Sequence, residues 1–332
     1  MILILHVTLA LGKFWTGVVL VLYGVRLITE AVQHLADTHV RKRLTSLMRY
    51  PVIALVLGMM ATTLMQSSNA MSSLLVGFVS ADLLSLSEAI AVLLGSNIGS
   101  TLAVQCISLH LTDHVFIFIG IAATLALWTH RTPYRYLGRL CFAFGLIMFG
   151  LSELVTASAP LITYPVIIMI LQALASVPIV LFVCGALLTI LLNSSTAFIG
   201  LVIMLATTGA IPTSAALALM LGANVGTTVM ALLLAMHEGT ITGRRLAVVH
   251  FGTKLAGALM ALIWLIPLTD MLSRLWTNGG TRVAMAHLGL NILIALFFFP
   301  LICTIERLMQ RWMPEPPALK DTPLVQPKVL PT

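Results

Sequence analysis

The sequence predicts an all-α polytopic membrane protein made of two inverted-topology repeats, each with a re-entrant helical hairpin and a broken transmembrane helix. Three observations predict it. Apolar stretches of spanning length run almost end to end, polar motifs recur at one fixed offset, and the basic clusters change ends between the two copies.

Hydrophobic residues make up 59% of the 332 and charged residues only 9%, with a mean hydropathy of +1.06. A soluble domain carries roughly 25% charge, and a transmembrane helix needs about 20 apolar residues, so the lipid bilayer is the main solvent and no sizeable soluble domain fits. The net charge of +7 lies in short clusters between apolar stretches, which is the positive-inside pattern and not a nucleic-acid-binding face. Cys106, Cys141, Cys184 and Cys303 lie in apolar surroundings without paired spacing, so they read as small core residues rather than disulfides or metal ligands. The apolar run from Met1 to Gly12 lacks a basic leader and continues past Lys13. It reads as part of the first membrane helix, not a cleaved signal.

QSSNA at Gln66 to Ala70 is followed by GSNIGST at Gly95 to Thr101, and NSSTA at Asn193 to Ala197 by GANVGTT at Gly222 to Thr228. Gln66 to Asn97 is 31 positions, as is Asn193 to Asn224, and a shift of 127 relates the copies without a gap. Residues 66–101 set against 193–228 share 12 identities over 36 positions, including Ser67/Ser194, Ser68/Ser195, Asn97/Asn224 and Thr101/Thr228. General hydrophobicity would match Leu and Val, not these polar residues. With Leu11 to Phe14 resembling Leu137 to Leu140, the repeats span about residues 11–129 and 137–265. A fainter echo sets His250, Gly252 and Lys254 against His287, Gly289 and Asn291, 37 positions on.

The loop from Thr38 to Tyr50 carries Arg41, Lys42, Arg43 and Arg49, whereas its equivalent, residues 168–176, has no Lys or Arg. Conversely, the turn from His110 to His114 has none, whereas the turn after the second copy has Arg244 and Arg245. Cytoplasmic loops hold the basic excess, so the two repeats are expected to insert in opposite directions. The path that follows has Pro51 to Val79 and Val177 to Thr207 as re-entrant hairpins with Gln66 and Asn193 at their tips. It crosses at about 12–35, 86–109, 114–129, 139–157, 214–236, 246–267 and the C-terminal helix 283–305. The N-terminus falls outside and the C-terminus in the cytoplasm. Residues 1–312 form the transmembrane domain, and the Pro-rich residues 313–332 a disordered cytoplasmic tail.

Non-helical backbone at membrane depth survives only where it lines a cavity or is buried in protein. GSNIGST and GANVGTT are expected to break their helices there, with Asn97, Thr101, Asn224 and Thr228 adding oxygens suited to a hard cation such as Na+. GxxxG with Ser and Thr is also a plain packing motif, but packing does not require a paired Asn nor a Ser pair upstream in both copies. Ser67, Ser68, Ser194 and Ser195 add hydroxyl donors where half-helix N-termini would present their positive ends, a combination suited to an anion. Lys254 lies well inside a predicted span, where a charge is a functional candidate, although its stem could snorkel to the interface. His250 and His287 read as supporting polar contacts.

The doubled QSS and GxNxGT arrangement, with the segments at His250 and at His287 to Asn291, resembles the bacterial sodium/phosphate cotransporters related to the type II animal family. That resemblance covers about residues 11–310. It implies an inner-membrane protein, not an enzyme, that moves inorganic phosphate coupled to Na+, with substrate bound between the hairpin tips. The implied site comprises Gln66, Ser67, Ser68, Asn69, Asn97, Thr101, Asn193, Ser194, Ser195, Thr196, Asn224 and Thr228. Lys254, His250, His287 and Asn291 are coupling candidates. No cofactor or metal is implied beyond transported Na+, and a homodimer is left open. The chain departs from the family pattern at Asn69, Asn193 and Thr196, and at Lys254, where Asn is expected. It is also expected to lack the PhoU-like helical domain that follows in many relatives. Another small oxyanion, H+ coupling, a membrane enzyme and a structural subunit are the competing readings.

Overall fold

The computed structural model describes residues 2–35, 46–65, 67–109, 114–129, 132–157, 165–174, 176–238 and 240–315. Gln66, the basic stretch Arg41 to Arg43 and the tail 316–332 lie outside the described residues.

Every regular element among the described residues is helical. The chain runs through α1 (Ile2–Leu35), α2 (Pro51–Met65), α3 (Ser68–Ser80), α4 (Leu86–Ser108), α5 (Val115–Trp128), α6 (Thr132–Ala157) and α7 (Pro165–Leu174). It continues through α8 (Pro178–Leu192), α9 (Ser195–Thr207), α10 (Thr213–Glu238), α11 (Ile241–Ile263), α12 (Leu265–Leu275), α13 (Gly279–Phe298) and, after a 3-10 turn at Phe299–Leu301, α14 (Ile302–Trp312). Among the described residues, five stretches are long and apolar enough to cross a membrane: Thr8–Ile28, Tyr134–Leu154, Thr213–His237, Ile241–Ile263 and Gly279–Trp312. Two of the seven expected spans fall on shorter apolar helices, Leu86–Leu102 and Val115–Trp128. Large apolar side chains such as Leu127, Leu191 and Ile263 point outward, as a lipid-facing surface requires.

Both expected hairpins are helix pairs. Pro51 opens α2 and Pro178 opens α8, a position where the missing N–H costs nothing. The arms have 15, 13, 15 and 13 residues, or about 20 to 22 Å each at 1.5 Å per residue. A bilayer core is about 30 Å thick.

The expected breaks at GSNIGST and GANVGTT are absent, and this corrects the sequence expectation. α4 runs unbroken through Gly95 and Gly99, and α10 through Gly222 and Gly226. The glycines serve close packing instead. A Cβ on Gly95 would lie 1.8 Å from the Leu55 carbonyl oxygen, and one on Gly222 1.9 Å from that of Phe182. Gly58 meets Val92 and Gly185 meets Leu219 in the same way, so backbone touches backbone at four sites related by the same shift of 127. The hydroxyls of Thr101 and Thr228 bond back to the carbonyls of Ile98 and Val225. Both helices are continuous through the motifs, so these segments present no freed run of carbonyls to a cation.

The second arms pack against the last helices in matching fashion. Ser80 Oγ lies 2.9 Å from Thr240 Oγ1, Gly243 packs on Val76, and Ser72 meets His250, so α3 and α11 run antiparallel. In the other half, Thr207 bonds Asn278, Gly279 packs on Ala206 and Gly280 on Ile203, so α9 and α13 run antiparallel too. α13 and α14 in turn run antiparallel to α11, since Gly257 packs on Ile294 and Arg245 donates two bonds, of 2.9 and 2.6 Å, to the Met313 carbonyl. The faint sequence echo thus marks two helices in equivalent places, α11 against the first hairpin and α13 against the second.

Candidate functional site

The two hairpin turns meet. Asn69 Nδ2 donates to Asn193 Oδ1 at 3.0 Å. Asn193 holds the left-handed conformation, φ 50°, at the end of α8, where Asn is tolerated because its short polar side chain bonds locally. Ser67 and Ser194 are the N-caps of α3 and α9, and their hydroxyls accept from the N–H groups of Ala70 and Ala197 at 3.2 and 3.3 Å. Capping orients the first turn of each helix so that its remaining N–H groups, which have no partner within the helix, face the turn. The following hydroxyls, Ser68 and Ser195, make no hydrogen bond to another described residue. Within each pair the first serine caps its helix and the second does not.

Behind the turns lies a buried polar layer. His250 Nε2 is 3.1 Å from Asn97 Oδ1, and its Nδ1 is 3.0 Å from Ser72 Oγ. Asn97 Oδ1 can only accept, so Nε2 donates, and in the neutral ring Nδ1 accepts the Ser72 hydroxyl proton. Lys254 Nζ donates to Thr227 Oγ1 at 3.2 Å. Asn291 Nδ2 donates to the His287 carbonyl at 2.9 Å. Thr196 is buried in α9.

Several buried polar atoms have no hydrogen-bond partner among the described residues: both amide atoms of Asn224, Asn97 Nδ2, Asn69 Oδ1, His287 Nδ1 and Asn291 Oδ1. A buried polar group left without a partner costs about 1 to 3 kcal/mol, and folded proteins leave few such groups. Thr189 is unpaired for another reason. Its counterpart Thr62 donates to Ser96 at 2.7 Å, but the residue equivalent to Ser96 is Ala223.

The structure thus brings together the predicted Asn69 and Asn193 at the turns, and links Asn97 to His250. Ser72 and Thr227 escaped the sequence reading. Each sits one turn or less from a singled-out residue, among other hydroxyl and amide side chains on the same helix.

Two helix pairs that meet over a buried polar layer, inside a bundle with an apolar exterior, define an all-α membrane protein. The chain matches the Na+/Pi-cotransporter family twice, over residues 20–156 and 162–299, and it belongs to that family. The family is one of phosphate transporters rather than enzymes. YqeW of Bacillus subtilis (strain 168) is 28% identical over 46% of this chain and 50% of its own length. YjbB of Escherichia coli (strain K12), named for inorganic phosphate export, is 29% identical over 46% of this chain and 28% of its own. The human sodium-dependent phosphate transport protein 2B is 37% identical over 20% of this chain and 9% of its own. The matched part spans half or less of the length of these relatives. No solved structure matches the chain.

Proposed function

We propose that the chain is a secondary active transporter that moves inorganic phosphate coupled to Na+ across a bacterial inner membrane, binding the anion where the two hairpin turns meet. The observation that carries this reading is the contact of Asn69 with Asn193, because it brings to one place two capped helix N-termini and two serine hydroxyls that bond no other described residue. Burying an uncompensated charge costs many kcal/mol. Helix N-termini, hydroxyl donors and co-bound cations can offset it, and they occur here together.

The inverted arrangement is supported by contact order. α3 ends beside the start of α11, and α9 ends beside the start of α13, while α11 and α13 run in opposite directions. On this reading the two hairpins enter from opposite faces as re-entrant segments whose tips reach the membrane interior. Arg244, Arg245, Arg307 and Arg311 gather at the end where Arg245 holds Met313, which on the positive-inside rule is the cytoplasmic end.

Proteoliposomes carrying the purified chain test the proposal. An imposed Na+ gradient should drive accumulation of radiolabelled phosphate, and a proton gradient alone should not. Phosphate flux that follows only the proton gradient would overturn Na+ coupling. The absence of phosphate flux under either gradient would overturn the substrate.

A further inference from the structure

Lys254 is 1% exposed and Asn291 0%, and the two hold equivalent places. The α3–α11 contacts pair Ser80 with Thr240 and Ser72 with His250. One further turn of the same register sets Lys254 level with Ser68, at the N-terminus of α3. The α9–α13 contacts pair Thr207 with Asn278 and Ala206 with Gly279. Continued towards the turn, that register sets Asn291 level with Ser195, at the N-terminus of α9. Ser68 and Ser195 are themselves equivalent, 127 positions apart, as His250 and His287 are at 37. The one conspicuous asymmetry of the pair is chemical: an ammonium on one side, an amide on the other.

The two groups are left incomplete in complementary ways. Lys254 Nζ has a single neutral partner, Thr227 Oγ1 at 3.2 Å, and no ion pair to it is found among the described residues. Asn291 Nδ2 donates to the His287 carbonyl, and its buried Oδ1 has no partner among the described residues. An amide oxygen is a ligand for a hard cation, whereas an ammonium is itself a cation that wants an anion nearby.

Resting on the phosphate reading above, we infer that the Lys254 ammonium occupies one of two quasi-equivalent cation positions beside the hairpin turns, so that one mobile Na+ is replaced by a tethered charge. Asn291 Oδ1 serves the other position, where Na+ binds. Phosphate is then held by a fixed cation from the α3 side and by a mobile one from the α9 side. Fewer Na+ ions accompany each phosphate than a symmetric site would carry. Lys254 is a binding and coupling residue in this scheme.

The test counts bound 22Na+ per chain at saturation, in the presence of inorganic phosphate, on the full chain in lipid nanodiscs. Lys254→Asn should bind one Na+ more than wild type, and its phosphate affinity should depend more steeply on Na+. Lys254→Met, which removes the charge without supplying an oxygen, should gain no Na+ and should bind phosphate at least about tenfold more weakly. Asn291→Ala should bind one Na+ fewer, and it decides the matter alone should the Lys254 variants fail to fold. Equal Na+ counts in wild type and Lys254→Asn, or in wild type and Asn291→Ala, overturn the inference. Should wild type bind no phosphate while the Na+ counts in its absence change as stated, the substrate reading falls and the assignment of Lys254 stands.

Discussion

Ser67 and Ser68 look interchangeable in the sequence, and the fold separates them. The first caps α3, and the second is buried, with no hydrogen bond to another described residue. Ser72, one turn further on, reaches His250. Replacing Ser72 with Ala should leave His250 Nδ1 without its partner and lower stability by about 1 to 3 kcal/mol, measured as a drop in the thermal unfolding midpoint in nanodiscs. A Ser72→Ala protein as stable as wild type would remove the hydroxyl from the polar layer's support. The Ser pairs, the Asn pair and Lys254 were legible because polar residues duplicated in an apolar setting need a cause. Ser72 and Thr227 were not, because a helical hydroxyl can satisfy itself on its own backbone, as Thr253 and Thr124 do here. Residue type alone does not tell the two situations apart.

At the level of the helix, the GSNIGST and GANVGTT segments show where sequence reasoning went astray. Two glycines four apart are compatible with a break or with close helix contact, and the choice belongs to the neighbour. Here α2 and α8 press their backbones onto α4 and α10, so the packing role prevails for Gly95, Gly99, Gly222 and Gly226. Asn97, at the centre of the first motif, still meets His250 in the polar layer. Gly95→Ala and Gly222→Ala should each force these helix pairs apart and cost about 1 to 3 kcal/mol or more, seen as reduced folded yield and a lower unfolding midpoint. Gly77→Ala, where nothing lies within 4 Å of an added Cβ, should be neutral or slightly stabilising, because Ala is the better helix former by up to about 1 kcal/mol. If all three variants behaved alike, the close-contact account of the motif would be wrong. The hairpin turns were legible to within a residue or two, because the apolar arms are each too short to span and flank a polar tip.

Over the whole molecule, two copies of one plan meet at their turns. Ala81 and Thr208 are equivalent exposed positions at the hairpin bases. In a background without native cysteines, Ala81→Cys should react with a membrane-impermeant maleimide from the cytoplasmic side and Thr208→Cys from the outside. Labelling of both from one side would contradict the inverted arrangement. The duplication was readable from identities at one offset, whereas the kinship of α11 and α13 rests on three matched residues and emerged from how each packs on a hairpin. On the proposed reading the anion is held between the two turns, by Ser68 on one side and Ser195 on the other. The most direct test is equilibrium binding of radiolabelled phosphate, in saturating Na+, to wild type and to Ser68→Ala, Ser195→Ala and Ser46→Ala. A hydrogen bond to a charged group contributes about 1.5 to 3 kcal/mol, so each of the first two variants should bind roughly tenfold to a hundredfold more weakly, and Ser46→Ala should bind like wild type. Wild-type affinity in folded Ser68→Ala and Ser195→Ala would contradict the account.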